Sequence, residues 1–223
     1  MFNIKKLLFG GAASPTDLAP EVREALAAWR AQPAAALDEV HFHTRYVVLD
    51  IAAAGLNVEE DSLQGIAAIG LGRGGIVLPA DVLAIDLATG GEDDAAAFDR
   101  QLMALLQFTA KCPLVSYRVP FVATFLQRAF RERLGLDFQP VWIDLAWLLA
   151  DLFKEINDTV GPRDVWLEAF HVQGSAGRDP VTNALALARL LQVALPRAAE
   201  RGMDTPGKLM DAAQARRFLR QSA

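Results

Sequence analysis

The stretch from Arg45 to Leu71 constrains this chain most. Tyr46, Val47, Val48 and Leu49 form an apolar, β-branched run that predicts a buried strand. Asp50 stands at the end of that run. Ala53, Ala54 and Gly55 follow, then Leu56 and the turn-forming Asn57. The polar patch Glu59, Glu60, Asp61, Ser62 leads into a second apolar run, Leu63 to Leu71. An aspartate where a buried strand meets a loop is placed to hold a metal or a reacting group. The plainer reading is a loop residue that caps or solvates the strand end.

The rest of the chain supplies partners for these strands. Pro20 opens a helix whose Val22, Leu26 and Trp29 recur at helical spacing. The segment 37–44 carries His41 and His43. Two histidines one residue apart can bind a metal if extended, but with no Cys or third His nearby they read as surface residues. Arg73, Gly74 and Gly75 predict a hairpin-type turn. Ile76–Leu78 and Val82–Leu87 predict a third strand broken by Pro79. The acidic residues 92–94 suit a helix start, and Phe98, Leu102, Leu105 and Leu106 form its apolar face. A short strand follows at Pro113–Ser116 and a helix at about 120–134. A further short strand, Val141–Ile143, precedes a helix over 144–153. Gly161 and Pro162 open another helix, 174–177 is a loop, and 180–195 is an Ala/Leu-rich helix. A last helix spans Pro206 to about Leu219, with Thr205 as N-cap. Three strands followed by alternating helices and short strands predict a mixed α/β domain.

Composition bounds the function. The 223 residues suit one well-buried domain with appendages, and 27 acids against 22 bases give a net charge of -5. That balance disfavours non-specific attraction to nucleic acid, though a local basic groove is compatible with it. The single Cys112 permits no internal disulfide and suits a reducing cytoplasm. No apolar run is long enough to span a bilayer. The N-terminus, MFNIKKLLFGGAASP, imitates a signal peptide, but its apolar part is short and diluted by Gly10 and Gly11. The expectation is a docked or frayed segment and a cytoplasmic location.

Three motifs in order resemble those of the DEDDh 3'-to-5' exonucleases, the family of the DNA polymerase III epsilon subunit. In that family a strand runs into D-x-E-T-T-G-L, and the next strand carries I-x-E-I-G-A-V. This chain reads D-I-A-A-A-G-L, then L-Q-G-I-A-A-I. The family's second motif, V-G-H-N-x-x-F-D-x-x-F-L, falls within residues 114–126, LVSYRVPFVATFL. Ser116, Tyr117 and Arg118 take its G-H-N, Phe121 its F, and Val122 its aspartate. The third motif, H-x4-D opening an Ala-rich helix, falls on 177–191, with Arg178 on the histidine and Asn183 on the aspartate. Asp144 fits as a helix-start residue. The resemblance implies a ribonuclease H-like mixed five-stranded sheet flanked by helices over residues 45–196. A helical extension precedes it at 1–44 and another follows at 197–223. It also implies Asp50 at the carboxyl end of the central strand, with Val122 and Asn183 facing it from two helices.

What the resemblance implies for chemistry is the opposite. These exonucleases hold two divalent ions among four carboxylates, and hard cations need that many oxygen donors at short range. Here the set is Asp50, Ala52, Val122 and Asn183, with Asp50 the only carboxylate and so a metal ligand at most. The general-base histidine is replaced by Arg178, which stays protonated. No cofactor is expected, and Mg2+ or Mn2+ only if activity is retained. Glu59, Glu60, Asp61 or Asp179 are the candidates for relocated ligands; solvation and helix capping are their plainer roles. Three readings stand: a degenerate exonuclease acting as a nucleic-acid-binding or regulatory module, an active nuclease with relocated ligands, and a structural protein-interaction module. Its partner would be single-stranded nucleic acid or a protein, with no membrane. Tyr117, Arg118, Arg128, Arg131 and Arg133 form the candidate binding patch, with a solvated helix face as the alternative. Arg178 is expected to face Asp50 and replace the charge of the missing metals, or else to point to solvent.

Overall fold

A computed structural model describes residues 18–87, 95–174 and 179–221. Helix α1 (Pro20–Arg30) leads through a short 3-10 turn, His41–His43, to β1 (Tyr46–Ala53). Strands β2 (Leu63–Leu71) and β3 (Val77–Asp86) follow. Then come α2 (Ala95–Thr109), β4 (Leu114–Ser116), α3 (Val119–Leu134), β5 (Trp142–Asp144) and α4 (Leu145–Leu152). The last three helices are α5 (Arg163–Ala169), α6 (Pro180–Glu200) and α7 (Pro206–Gln221). The sheet order is β3-β2-β1-β4-β5. Strands β1, β2 and β3 pair antiparallel, and β4 and β5 add in parallel. This is a mixed five-stranded sheet flanked by helices.

β1 is central because its residues are apolar on both faces, as a strand covered on both sides requires. Tyr46, Val47, Val48 and Leu49 are at most 1% exposed. Side chains alternate across a strand, so Tyr46 and Val48 join one core, with Ile69, Val115, Leu148 and Leu187. Val47 and Leu49 join the other, with Leu26, Leu105, Leu126 and Phe130. Helices α4, α6 and α7 cover the first face, and α1, α2 and α3 the second. Both termini contribute, through Leu18, Val22 and Leu26 on one side and Leu209 on the other.

Three differences from the sequence expectation exceed one or two residues. β1 runs on to Ala53, because its ladder with β2 continues through Ala53↔Leu63. Asp50 therefore lies within the strand, just past the last pairing with β4 at Val48↔Val115. β3 is continuous through Pro79. Pro79 is exposed on an edge strand, where the missing N–H breaks no ladder bond. α6 continues through Pro196 to Glu200, because Ala198 is buried in the core beyond the proline. The acidic residues 92–94 and the N-terminal segment lie outside the described residues.

One carboxylate ties the parallel half together. Asp144, at the end of β5, accepts from Ala146 N at 3.0 Å as the N-cap of α4. It also accepts from Arg118 N at 3.1 Å and Val119 N at 3.0 Å, across the turn from β4 into α3. Arg118 there has φ 60° and ψ 60°, a left-handed conformation that costs a non-glycine residue. Asp144→Ala is expected to lower unfolding stability by about 2–4 kcal/mol in urea titration, since a cap and two charge-assisted bonds are lost. Asp144→Asn should recover part of that loss.

Candidate functional site

The carboxyl half of β1 carries Asp50 on the face that α6 covers, and Asn183, in the first turns of α6, reaches it. The Asn183 carboxamide faces the Asp50 carboxylate and favours its ionised form. Asn183 is 9% exposed, and its Oδ1 has no hydrogen-bond partner. Burial pushes the Asp50 carboxyl up to about 6, against the nearby Asn183 carboxamide and the charge of Arg163, which both favour ionisation.

The other motif positions hold no ligand. Ala52 pairs with Gly65 across the sheet. A Cβ on Gly65 would lie 3.7 Å from Ala52 Cβ, 3.6 Å from Pro180 Cγ and 3.3 Å from the Ile85 carbonyl. Ala52 and the proline that opens α6 thus bound the space beside Gly65. Val122 is 2% exposed and packs in the apolar cluster with Val47, Leu49 and Leu126. Arg178 lies outside the described residues. Among those described, the cation whose charge acts on Asp50 is Arg163, at the start of α5. Its Nε is buried without a hydrogen-bond partner, and Asp164 stands 3.9 Å away.

The candidate relocated ligands have other partners. Glu59 and Glu60 are exposed. Asp61 accepts from Asn57 N at 2.7 Å and closes the loop after β1. A Cβ on Gly55 would lie 2.3 Å from Asp61 Oδ2, so that position needs glycine while Asp61 holds its place. Asp179 caps α6, accepting from Thr182 Oγ1, Thr182 N and Val181 N, and these bonds hold its carboxyl below the usual range. Among the described residues, no three His, Cys, Asp or Glu side chains gather as a metal ligand set. One carboxylate does not fit a pair of divalent ions.

The basic patch is also partly committed. Arg128 donates to the carbonyls of Val58 and Asp61 and so clamps the loop after β1 onto α3. Arg131 pairs with Asp137 at 3.4 Å, and Arg133 with Asp99 at 2.9 Å. Arg118 is exposed at the head of α3. Tyr117 is half-buried and donates to the Gly161 carbonyl at 2.8 Å; burial raises its hydroxyl to about 12. Trp166 Nε1 approaches that hydroxyl without reaching hydrogen-bond geometry. His41 is not a metal ligand here: its ring bridges Tyr46 Oη at 2.7 Å and the Met203 carbonyl at 2.8 Å. Sequence reading missed Arg163. The available signal was a cation at a helix N-terminus, where the dipole disfavours it.

The Asp50 shift makes a pH prediction. The ordinary aspartate value is 3.8 and the folded value about 6, so the native state holds the extra proton between them. Stability from this group falls as pH rises through that window. Asp50→Asn is expected to be more stable than the natural chain by about 1–3 kcal/mol at neutral pH. That advantage should vanish at pH below about 4, as read by urea unfolding at both values.

No protein-family sequence model matches the chain, and no curated protein matches it in sequence. Solved structures do match in fold. Escherichia coli exonuclease I in complex with a dT13 oligonucleotide superposes with a TM-score of 0.55 at 12% identity, over 70% of this chain and 42% of that one. The complex of exonuclease I with SSB-Ct gives 0.50 at 14% identity, over 76% and 43%. Brucella melitensis NrnC with bound Mg2+ gives 0.45 at 18% identity, over 80% and 87%. The chain thus spans less than half the length of the exonuclease I chain that it matches. Its five-stranded sheet and flanking helices are the ribonuclease H-like fold of the DEDD exonucleases.

Proposed function

We propose that this chain is an exonuclease-like module that binds single-stranded nucleic acid without hydrolysing it. The observation that carries the reading is the donor set. Asp50 is the lone carboxylate among the four positions and is engaged by Asn183, while Ala52 and Val122 offer no oxygen. Arg163 supplies a positive charge beside Asp50. Without a pair of ions to activate water, the scaffold retains a shape that accepts a strand but not the means to cut it. Binding draws on Arg118, which the Asp144 clamp presents at the turn from β4 into α3, beside the half-buried ring of Tyr117. Exonuclease I, with the same fold, is seen with dT13 and dA16 oligonucleotides. The lone cysteine fits a cytoplasmic setting, and among the described residues no helix is long and apolar enough to cross a membrane.

The test is an assay with a fluorescent single-stranded oligonucleotide. No shortening is expected with magnesium or manganese. Fluorescence anisotropy should show binding that weakens as salt rises. Arg118→Ala should weaken binding by roughly three- to tenfold, as for loss of one phosphate contact. Stepwise loss of nucleotides from the 3' end, abolished by Asp50→Ala, would overturn the non-hydrolytic reading. Absence of binding at low salt would overturn the binding reading.

A second prediction concerns the lost carboxylates. Val122→Asp alone should lower stability by roughly 3 kcal/mol or more, because it puts an unpaired charge in an apolar cluster. The quadruple variant Ala52→Glu, Val122→Asp, Arg178→His, Asn183→Asp should take up manganese by calorimetry if only side chains were lost. A folded quadruple variant that takes up none places the defect in the backbone.

A further inference from the structure

One histidine joins the two ends of the chain. His41 opens the short turn before β1, and its ring meets two separate elements. Its Nδ1 lies 2.7 Å from Tyr46 Oη on β1, and its Nε2 lies 2.8 Å from the Met203 carbonyl beyond α6. Its backbone N–H donates to the Asp204 carbonyl at 3.0 Å. Close by, Gly207 N donates to the Leu37 carbonyl at 2.9 Å. Residues 37–41 are thus tied to the connection between α6 and α7. That connection fixes where α7 starts, and α7 completes one of the two cores through the buried Leu209.

These partners select the neutral ring. A carbonyl only accepts, so the Met203 contact requires a hydrogen on Nε2. In the neutral ring Nδ1 is then an acceptor, and Tyr46 Oη donates to it. Protonation puts a hydrogen on Nδ1 as well, and the Tyr46 hydroxyl must turn its own hydrogen away. Tyr46 is buried, and burial raises its hydroxyl so that it stays protonated. The Thr44 hydroxyl faces it without reaching hydrogen-bond geometry and donates to the Val40 carbonyl at 3.0 Å. Burial also lowers the His41 pKa, against the Met203 bond and the charge of Asp204. Asp204 is itself paired with Lys208 at 2.7 Å. The residues that α6 brings beside His41 are Gln192, Leu195, Pro196 and Ala199, none of them charged.

We propose that His41 is a pH-sensitive latch: its neutral ring holds the α6–α7 connection to β1, and protonation in mildly acidic solution loosens that hold. A ring whose charged form is disfavoured in the closed state takes up its proton more readily once the connection has opened. The latch is therefore complete above the ordinary histidine value of 6.5 and weakens as pH falls below it. Asp50, at the far end of β1, acts in the opposite sense, since its contribution to stability grows as pH falls. Loosening frees the first turn of α7, which packs on α4 and β5. The inference is independent of the nucleic-acid reading.

Amide hydrogen exchange on the full chain, read as protection factors at about pH 8 and about pH 5, tests it across the histidine range. The amides of Gly207 and Leu209 bond to the Leu37 and Thr205 carbonyls. Their protection is expected to fall roughly three- to tenfold at the lower pH, as for loss of one hydrogen bond. His41→Gln can donate to Met203 and accept from Tyr46 without titrating, and should abolish that fall. His41→Asn serves in its place if far-UV circular dichroism shows the glutamine variant to be unfolded. In the natural chain, nuclear magnetic resonance should place the His41 titration below 6.5. Equal protection at both pH values overturns the proposal, as does a fall that persists in the non-titrating variant. A fall shared equally by Val48 and Ile69 marks global unfolding and overturns it too. So does a His41 titration at or above the ordinary value.

Discussion

Burial of β1 on both faces is the constraint on which the rest of the structure depends. Tyr46 to Leu49 are closed off by strands on either side and by helices above and below. Alternation along that strand sends successive side chains into two separate cores, so each flanking helix is placed by which core it completes. α6 lies against β1 and β2 through a run of alanines and leucines, and the small residues allow close approach. That approach brings Asn183 towards Asp50 and Pro180 beside Gly65.

The same packing accounts for the character of the site. A carboxylate in a mostly buried position is costly to ionise, and one nearby carboxamide with one guanidinium offsets only part of that cost. A cluster of carboxylates at this point would need cations to be tolerable. With alanine, valine and asparagine at the companion positions, the site is held by apolar packing and a single polar contact. The acidic residues nearby are used to shape the backbone: Asp61 closes a loop, Asp179 caps a helix, and Asp144 braces a left-handed turn.

Much of the fold was legible in the residues because it follows from periodicity and punctuation. The apolar runs at 46–49 and 63–71, the stripe of Val22, Leu26 and Trp29, and the capping residue Asp179 are local signals with local causes. Strand limits were less legible, since β1 is extended to Ala53 by its partner β2 rather than by its own composition. Pro79 misled for the same reason, since an edge position removes its cost, and burial of Ala198 carries α6 past its expected end at residue 195.

The sequence by itself determined which groups the candidate site lacks. Carboxylates absent from positions 52, 122 and 183 cannot be supplied by any packing of those residues. It also determined the order of strands and helices, because each is set by neighbours a few residues away. Only the tertiary structure decided which charge stands beside Asp50. Arg163 comes from a different helix, more than a hundred residues along the chain, and its approach depends on how α5 sits against α6. Tertiary structure likewise decided that Arg128, Arg131 and Arg133 have partners within the chain, and that His41 bridges Tyr46 and the Met203 carbonyl. Such pairings depend on distances through space, which residue order does not encode locally.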